Sequence, residues 1–346
     1  MATIKDVAKA ANVSIATVSM VLNGKECITQ KTKERVLRAA KELNYIPSIA
    51  AKTLKTNRSH ILALFAGDIS NPFFPEIIKG VEAAARLHNY SVIIHDLSRD
   101  EKDMEIQIER AASQRVDGIF ITGTNSISQG MKEKILALKQ SGIQIVSCNR
   151  FMDWGEFPLI VTEEGACVDM LLSKLAAFGH KHIGCISGYP EAWVSTRREA
   201  YFKSILEQYG LYHPEYVVNG GFLIEDGRAA ARQLLERYPQ ITAMMCVNDT
   251  LAIGCLKGVT DMGRRVPEEF SIFGIDGIEC LKYFSPEIAT VDTRRYEYGF
   301  EGTERLIALI ETDGEEQEAL MEDMVFACTV CQGDTIKPPA KTKGQE

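Results

Sequence analysis

The 346-residue chain lacks any apolar run of the roughly 18 residues that a membrane-spanning helix needs. Its opening residues, MATIKDVAKAANV, also lack the apolar block of a secretion signal. The nine cysteines are odd in number and scattered, which is typical of reduced thiols rather than of a disulfide framework. We therefore expect a cytoplasmic protein that does not contact a membrane.

The sequence also has little that indicates catalysis or metal binding. No G-x-G-x-x-G follows the first expected strand, and neither G-x-x-x-x-G-K-[ST] nor G-x-S-x-G occurs. Cys328 and Cys331 form one C-x-x-C without a second pair, which favours cysteines in a buried strand. His180 and His182 have no nearby Cys or carboxylate that would complete a metal site. We expect no enzyme activity, no cofactor and no metal.

Charge is divided unevenly along the chain. Residues 1–60 hold 11 Lys and Arg against 4 Asp and Glu, a net charge of +7, whereas the remainder holds 28 against 43, or −15. A small basic segment beside a larger acidic one is expected to meet a polyanion such as nucleic acid. Within the basic segment, the stretch VSIATVSMVLNG (residues 13–24) has no charged residue, so it can contact a polyanion only through hydroxyl, amide or apolar groups.

Three short helices are expected in the basic segment. The turn ANVS lies between the first two, with Asn12 in left-handed backbone and Ser14 as a helix N-cap. A third helix fits TQKTKERVLRAAKEL, capped by Thr29. Two helices joined by a tight turn and followed by a third are typical of a helix-turn-helix domain. Helical spacing predicts these inward-facing residues: Ile4, Val7, Ala8, Ala11, Val18, Val21, Leu22, Val36, Ala39, Ala40 and Leu43.

From Ile61 onward, apolar strands alternate with amphipathic helices. This pattern predicts an α/β fold with two doubly wound parallel-sheet subdomains behind the N-terminal three-helix head. Ligands of such sheets bind beyond the carboxyl ends of the strands, here in a cleft between the subdomains. The predicted ranges are 1–46 for the head, 47–59 for a hinge or linker, 60–162 with about 293–325 for the first subdomain, 163–292 with about 326–336 for the second, and 337–346 for a disordered tail.

Several segments together resemble the lactose-repressor (LacI/GalR) family of transcriptional regulators, from Thr3 to about Gln332. They are TIKDVAKAANVSIATVSMVLNG, TKERVLRAAKELNYIPSIAAKTLK, SNPFF, RVDGIFI, FGHKHIGCISG and VNDTLAIGCLKGVTDMGRRVPEEFSIFGIDG. The head is most similar to the purine and catabolite-control repressors of this family. The resemblance implies a periplasmic-binding-protein-like body and a DNA-binding head.

The resemblance implies that residues 15–22 form a recognition helix in the major groove. Residues 47–59 would form a hinge helix, from which Leu54 wedges between base steps in the minor groove; a plain core leucine is the alternative. The implied DNA contacts are Lys5, Ser14, Ile15, Ala16, Thr17, Ser19, Met20, Asn23, Ala51, Lys52, Leu54 and Lys55. Many relatives carry Arg at the position of Met20. Met can pack on a thymine methyl but cannot make a bidentate guanine contact, so the operator is expected to differ there.

The resemblance also implies an effector site in the cleft. Arg197 would grip the ligand, with Arg198 as the second choice, and Asp276 would be the ligand carboxylate. Phe73 and Phe74 would stack on the ligand, although two core aromatic residues at a helix start explain SNPFF equally well. The other implied contacts are Thr124, Trp193, Phe222 and Asp249, of which Asp249 has helix capping as its alternative. Glu163 and Gly277 depart from the residues common among relatives, which weakens the expected polar contacts there.

We therefore predict a homodimeric repressor that binds a pseudo-palindromic DNA operator and responds to a small, sugar-like molecule in the cleft. Three alternatives remain open from the sequence. The regulator could answer to a phosphorylated protein partner instead of a metabolite. A periplasmic-type solute-binding protein would explain the cleft but not the basic head, and an α/β enzyme acting on a sugar or nucleoside would require turnover.

Overall fold

The structure, a computed structural model, describes residues 2–22, 28–45, 58–97, 101–123, 127–148, 152 and 154–340. The chain divides into two compact units, residues 1–59 and residues 60–346. The first unit contains the three-helix head, and we call the second unit the body.

The head has the helices that the sequence predicts: α1 (Ile4–Ala10), α2 (Ile15–Leu22) and α3 (Gln30–Glu42). Asn12 adopts left-handed backbone in the turn between the first two, with φ of 48°. Residues of all three helices form a small core: Val7, Ala8, Ala11, Val18, Val21, Val36, Ala39 and Ala40. The prediction that Leu43 faces inward is wrong. This side chain is 37% exposed because α3 ends at Glu42.

The body alternates strands and helices as expected for an α/β fold. Its helices are α4 (Phe74–Leu87), α5 (Glu101–Ser113), α6 (Gln129–Gln140), α7 (Gly165–Ala177), α8 (Trp193–Gln208), α9 (Ile224–Arg237), α10 (Asp249–Asp261), α11 (Arg295–Glu311) and α12 (Glu315–Ala319). Its strands are β1 (Ile61–Ala66), β2 (Ser91–Asp96), β3 (Gly118–Ile121), β4 (Gln144–Ser147), β5 (Ile160–Glu163), β6 (Ile183–Ser187), β7 (Val217–Asn219), β8 (Ala243–Cys246), β9 (Ser271–Asp276), β10 (Ala289–Asp292), β11 (Met324–Ala327) and β12 (Thr329–Cys331).

Two sheets define two subdomains. The N-subdomain sheet has the order β2-β1-β3-β4 and is parallel, and a single bridge between Ser147 and Leu159 links it to the β5–β11 pair. The C-subdomain sheet has the order β12-β10-β9-β8-β6-β7, in which only β12 runs antiparallel. Apolar cores cover both faces of the first sheet and surround the second. In open parallel sheets of this kind, ligands generally bind beyond the carboxyl ends of the strands.

Three crossovers connect the subdomains. The chain leaves the N-subdomain after Glu163 and returns after Asp292, where α11 packs on α4 and the first sheet. It crosses again between Ala327 in β11 and Thr329 in β12. The second crossover contains Arg294, whose φ of 55° places it in the left-handed region immediately before α11.

Helices α4 and α11 approach each other closely through two glycines. A Cβ on Gly80 would collide with the backbone of Tyr296, and a Cβ on Gly299 would collide with the backbone of Ile77. The two helices therefore make backbone contact on one side of the N-subdomain, and larger side chains at either glycine would push them apart.

Three sequence expectations about the body require correction. Strands β5, β10 and β11 lie in segments for which the sequence predicts no strand. Cys331 is exposed on the edge strand β12 and Cys328 is half-buried beside it, so they are not a buried pair. Residues 337–340 of the expected disordered tail are described, and the Lys337 backbone pairs with the Ser271 hydroxyl at 3.0 and 2.9 Å.

Candidate DNA-binding face and effector cleft

The start of α2 is fixed by Ser14. Its Oγ accepts a hydrogen bond from the Thr17 amide at 3.1 Å and lies 2.9 Å from the Thr17 hydroxyl. This is the geometry of an N-cap, which satisfies an amide that the helix itself cannot. Ser14 therefore orients the helix and at the same time remains exposed on its outer face.

The outer face of α2 carries no charge. Ile15 is 44% exposed and Met20 is 37% exposed, whereas Val18 and Val21 point into the head core. Ala16 is also exposed, and the hydroxyl residues Thr17 and Ser19 are half-buried. Lys5 is exposed on α1. The face thus offers hydroxyl and apolar groups, which suit base edges and thymine methyls, with a cation on the neighbouring helix.

Six of the implied site residues fall outside the described residues. They are Asn23, Ala51, Lys52, Leu54, Lys55 and Thr124.

At the carboxyl ends of β8 and β9, the Arg198 guanidinium joins three segments of the chain. Its Nη1 donates to Oδ1 of Asp276 at 3.0 Å and to the Val247 carbonyl, at the ends of β9 and β8. Its Nε and Nη2 donate to the two carboxylate oxygens of Glu164 at 3.0 and 2.8 Å. All three charged side chains are buried, with side-chain exposures of 6% for Arg198, 3% for Glu164 and 7% for Asp276.

Asp276 is held in strained backbone. Its φ is 136°, which L residues rarely adopt. The carbonyl of Asp276 accepts bonds from the amide and hydroxyl of Thr293, at 3.3 and 3.1 Å. Carboxylate oxygen Oδ2 accepts no hydrogen bond from the described residues. The residue is thus fixed by its backbone and by Arg198.

Asp249 is fully buried and binds the backbone that directly follows Asp276. Its Oδ2 accepts the amides of Gly277 and Ile278 at 2.7 and 2.8 Å, and its Oδ1 accepts the Thr290 hydroxyl at 2.6 Å. Both oxygens are therefore used inside the protein. The structure places Asp249 in a supporting role rather than in the effector contact that the resemblance implies.

Burial raises the pKa values of both carboxyls. The pKa of Asp249 rises to about 7, because burial and the neighbouring Asp276 carboxylate disfavour its charge. The pKa of Asp276 rises to about 6 because burial outweighs the attraction of Arg198. The two groups interact, and in both the cleft environment favours the protonated form more than water does.

Arg197, the first choice from the sequence, lies apart from this network. Its guanidinium packs over the rings of Trp193 and Tyr201, at 4.9 and 5.4 Å from their centroids. Its Nε donates to the Tyr201 hydroxyl at 2.7 Å, and Nη2 lies 3.5 Å from Glu163. Arg198 rather than Arg197 contacts Asp276. The structural reason is the orientation of α8, whose buried residues are Ser195, Arg198, Phe202, Ile205 and Leu206.

The predicted aromatic residues differ in burial. Phe74 is 5% exposed in the N-subdomain core and meets Phe73 edge to face at 5.1 Å, so Phe74 packs internally instead of stacking on a ligand. Phe73, Trp193 and Phe222 are half-buried. Phe222 meets Tyr189 edge to face at 5.4 Å, and the Thr250 hydroxyl holds the Phe222 carbonyl.

Arg295, which the sequence did not single out, bridges the two subdomains. Its guanidinium donates to the carbonyl of Pro72, just before Phe73, at 3.4 Å, and to the carbonyl of Gly277, just after Asp276. The residue is 7% exposed. One side chain therefore ties the segment carrying Phe73 to the segment carrying Asp276. Glu164 was likewise missed, because its partner Arg198 is 34 residues away in the sequence.

The described ranges contain neither a candidate membrane span nor a candidate metal site. No helix in them combines the length and the apolar character needed to cross a bilayer. In the same ranges, no three His, Cys, Asp or Glu side chains are grouped so that they could hold a metal ion. His180 instead pairs with the Thr242 hydroxyl and the Lys337 carbonyl, each at 2.8 Å.

Comparison with known proteins matches both parts of the chain. Residues 3–48 match the model for bacterial regulatory proteins of the lacI family, and residues 172–335 match the periplasmic binding protein-like domain. The chain is 33% identical over 301 residues to the HTH-type transcriptional repressor CytR of Escherichia coli K12, with 87% of each chain covered. It is 31% identical over 326 residues to the ribose operon repressor of Haemophilus influenzae, with 93% of this chain and 96% of that protein covered.

Among solved structures, the lac repressor dimer bound to operator and the anti-inducer ONPF matches with a TM-score of 0.86 and 22% identity, over 97% of this chain and 99% of that one. This likeness shows the fold, a helix-turn-helix head with a periplasmic-binding-protein-like α/β body. The family match confirms the interpretation as a DNA-binding transcriptional regulator rather than an enzyme. The chain belongs to the lacI family of bacterial regulatory proteins.

Proposed function

We propose that the protein is a cytoplasmic, homodimeric repressor that binds a pseudo-palindromic operator and changes its DNA affinity when a small polyhydroxylated molecule enters the cleft. The part of the proposal that concerns the effector rests on the buried Arg198–Asp276 pair at the carboxyl ends of β8 and β9. The part that concerns DNA binding rests on the uncharged, exposed face of α2. The relatives named as repressors and the lac repressor dimer on its operator support the same assignment.

On DNA, α2 lies in the major groove of each half-site and contacts base edges through Ser14, Ile15, Ala16, Thr17, Ser19 and Met20. Lys5, together with the cations of the hinge region, contacts phosphates. Such phosphate contacts make affinity fall steeply with salt, because each one releases counterions. Selection of full-length protein against a random duplex library is the direct test. We expect two inverted half-sites, and affinity that drops at least tenfold between about 50 and 200 mM salt.

In the cleft, Oδ2 of Asp276 accepts a ligand hydroxyl, while Phe73, Trp193 and Phe222 pack on the C–H faces of the ligand. Arg197 lies at the rim beside Trp193. A sugar or a nucleoside fits this set of groups, and the ribose operon repressors among the relatives support it.

A thermal-shift screen of sugars and nucleosides, starting with ribose, tests the effector half. Each hit is then added to an operator-binding assay. We expect at least one hit to change operator affinity without being consumed, and Asp276→Asn to lose that response while still binding operator. Turnover of a hit by the purified protein would contradict the proposal.

A further inference from the structure

The side chain of Glu164 connects the proposed effector pair to a subdomain crossover. Glu164 directly follows β5, the last strand of the N-subdomain before the first crossover, and directly precedes α7 of the C-subdomain. Its two carboxylate oxygens accept from Nε and Nη2 of Arg198. The opposite nitrogen of the same guanidinium, Nη1, holds Asp276. A planar, rigid group therefore stands between the crossover and the strand end where the ligand is expected.

The energetics of this pair favour a role in position rather than in stability. Removing two charges from water is expensive, and buried ion pairs can often be replaced by apolar residues without loss of stability. A bidentate contact fixes the plane of the guanidinium, and so fixes the direction in which Nη1 faces Asp276. The four N–H bonds to Glu164, Val247 and Asp276 leave the Arg198 side chain little freedom to turn.

Asp276 is also tied to a second crossover. Its carbonyl accepts the amide and the hydroxyl of Thr293, which lies between β10 and α11. A displacement of Asp276 should therefore also displace residue 293, through the Asp276 backbone carbonyl, and residue 164, through Arg198. Rotation of one subdomain against the other must pass through these same crossovers.

We propose that Glu164 is a positioning residue that couples occupation of Asp276 to the subdomain crossovers. The proposal rests on the effector site assigned above and deepens it, since it names the residue through which binding at Asp276 reaches the hinge. Coupling between two sites is reciprocal, so a change at either end must be felt at the other.

Hydrogen exchange of the full-length protein, followed by mass spectrometry, tests this reciprocity without an effector. The variants are Glu164→Gln, which keeps the shape and removes the charge, and Asp276→Asn at the other end. We expect Glu164→Gln to raise exchange at least tenfold at residues 275–278 as well as at β5 and β11. We expect Asp276→Asn to raise exchange at least tenfold at β5 and β11 as well as locally.

Two further variants control the result. Glu297→Gln makes the same chemical change in a pair at the second crossover, but there Glu297 is 45% exposed and lies 3.5 Å from Arg294, so exchange should stay as in the wild type. Glu164→Asp keeps the charge on a shorter side chain and should recover part of the protection at residues 275–278. It also carries the test if Glu164→Gln does not fold.

The proposal is overturned if each variant changes exchange only in its own segment, or if Glu164→Asp and Glu164→Gln behave alike at residues 275–278. This result is separate from operator binding. A wild-type protein that selects no operator would contradict the proposed function, whereas loss of reciprocity in a protein that binds operator contradicts only the role of Glu164.

Discussion

Arg198 contacts Asp276 at 3.0 Å, whereas Arg197, its neighbour on α8, packs between Trp193 and Tyr201. Adjacent residues of a helix point about 100° apart, so only one of two consecutive arginines can face the strand ends. Loss of the Arg198 side chain would leave two buried carboxylates without a cation, whereas loss of the Arg197 side chain would not.

We expect Arg198→Met to destabilise the body by about 3–5 kcal/mol, because Glu164 and Asp276 would remain buried without their cation. Arg197→Met should cost only about 1 kcal/mol, since it removes two ring contacts, the hydrogen bond to the Tyr201 hydroxyl and a long ion pair to the 48%-exposed Glu163. Urea unfolding followed by tryptophan fluorescence measures both losses in the body, where both tryptophans, Trp154 and Trp193, lie. Equal losses would contradict the assignment of Arg198 as the buried member.

The stability of the body should depend on Asp249 as the pH changes. Its pKa is raised from 3.8 to about 7, so the folded state binds the proton more tightly than the unfolded state does. The stabilisation is complete below pH 4 and is lost as the pH rises through 7. Asp276, with its pKa raised to about 6, acts in the same direction.

Substitution of Asp249 by Asn should therefore flatten the fall in unfolding free energy between about pH 4 and 7. Asn keeps an oxygen for the amides of Gly277 and Ile278 but does not titrate. The measurement is chemical denaturation across this pH range for the wild type and Asp249→Asn. Parallel curves for the two proteins would show that the pH dependence arises elsewhere.

Met20 should set one base pair of the operator. We expect Met20→Arg to shift the preferred base there toward guanine, with discrimination of about 1–3 kcal/mol, because Arg makes the bidentate contact that Met lacks. Competition binding against operators varied at each position locates the change. Leu37→Ala, at a 53%-exposed position on α3, is the matched control and should leave the preference unaltered.

Substitutions of Ser14 should distinguish its role as a helix cap from its proposed contact with DNA. Ser14→Ala removes the cap of the Thr17 amide and should destabilise the head by about 0.5–2 kcal/mol. Ser14→Asp restores a capping oxygen and so should recover the stability, yet it places a negative charge on the face toward phosphate and should weaken operator binding. Thermal unfolding and operator affinity are measured on the same samples. If Ser14→Asp binds as the wild type does, Ser14 lies away from the DNA.

Local signals in the sequence predicted the head well and the cleft only in part. Asn12, Ser14 and the buried face of α2 follow from rules that act over a few residues, and the structure has all of them. The choice between Arg197 and Arg198 depends on the phase of α8 against a distant sheet. Burial at Ser195, Arg198 and Phe202 fixes that phase only in the folded chain.

The missed strands have a different cause. Strands β5, β10 and β11 are four residues long, and each lies beside a crossover. Such short segments show little periodicity, and long-range pairing such as that of β11 with β5 decides their structure. Glu164 and Arg295 belong to the same class, because their partners are separated from them by tens to hundreds of residues.

The backbone contact between α4 and α11 at Gly80 and Gly299 limits how the body can move. Helices in direct backbone contact do not slide easily past each other, so α4 and α11 should move together as one rigid unit. Phe73 lies at the start of α4 and Arg295 at the start of α11, so both residues should move with this rigid unit. Movement of one subdomain away from the other should then displace Phe73 and the contact between Arg295 and Gly277 together. A state in which only one of them is displaced is therefore unfavourable.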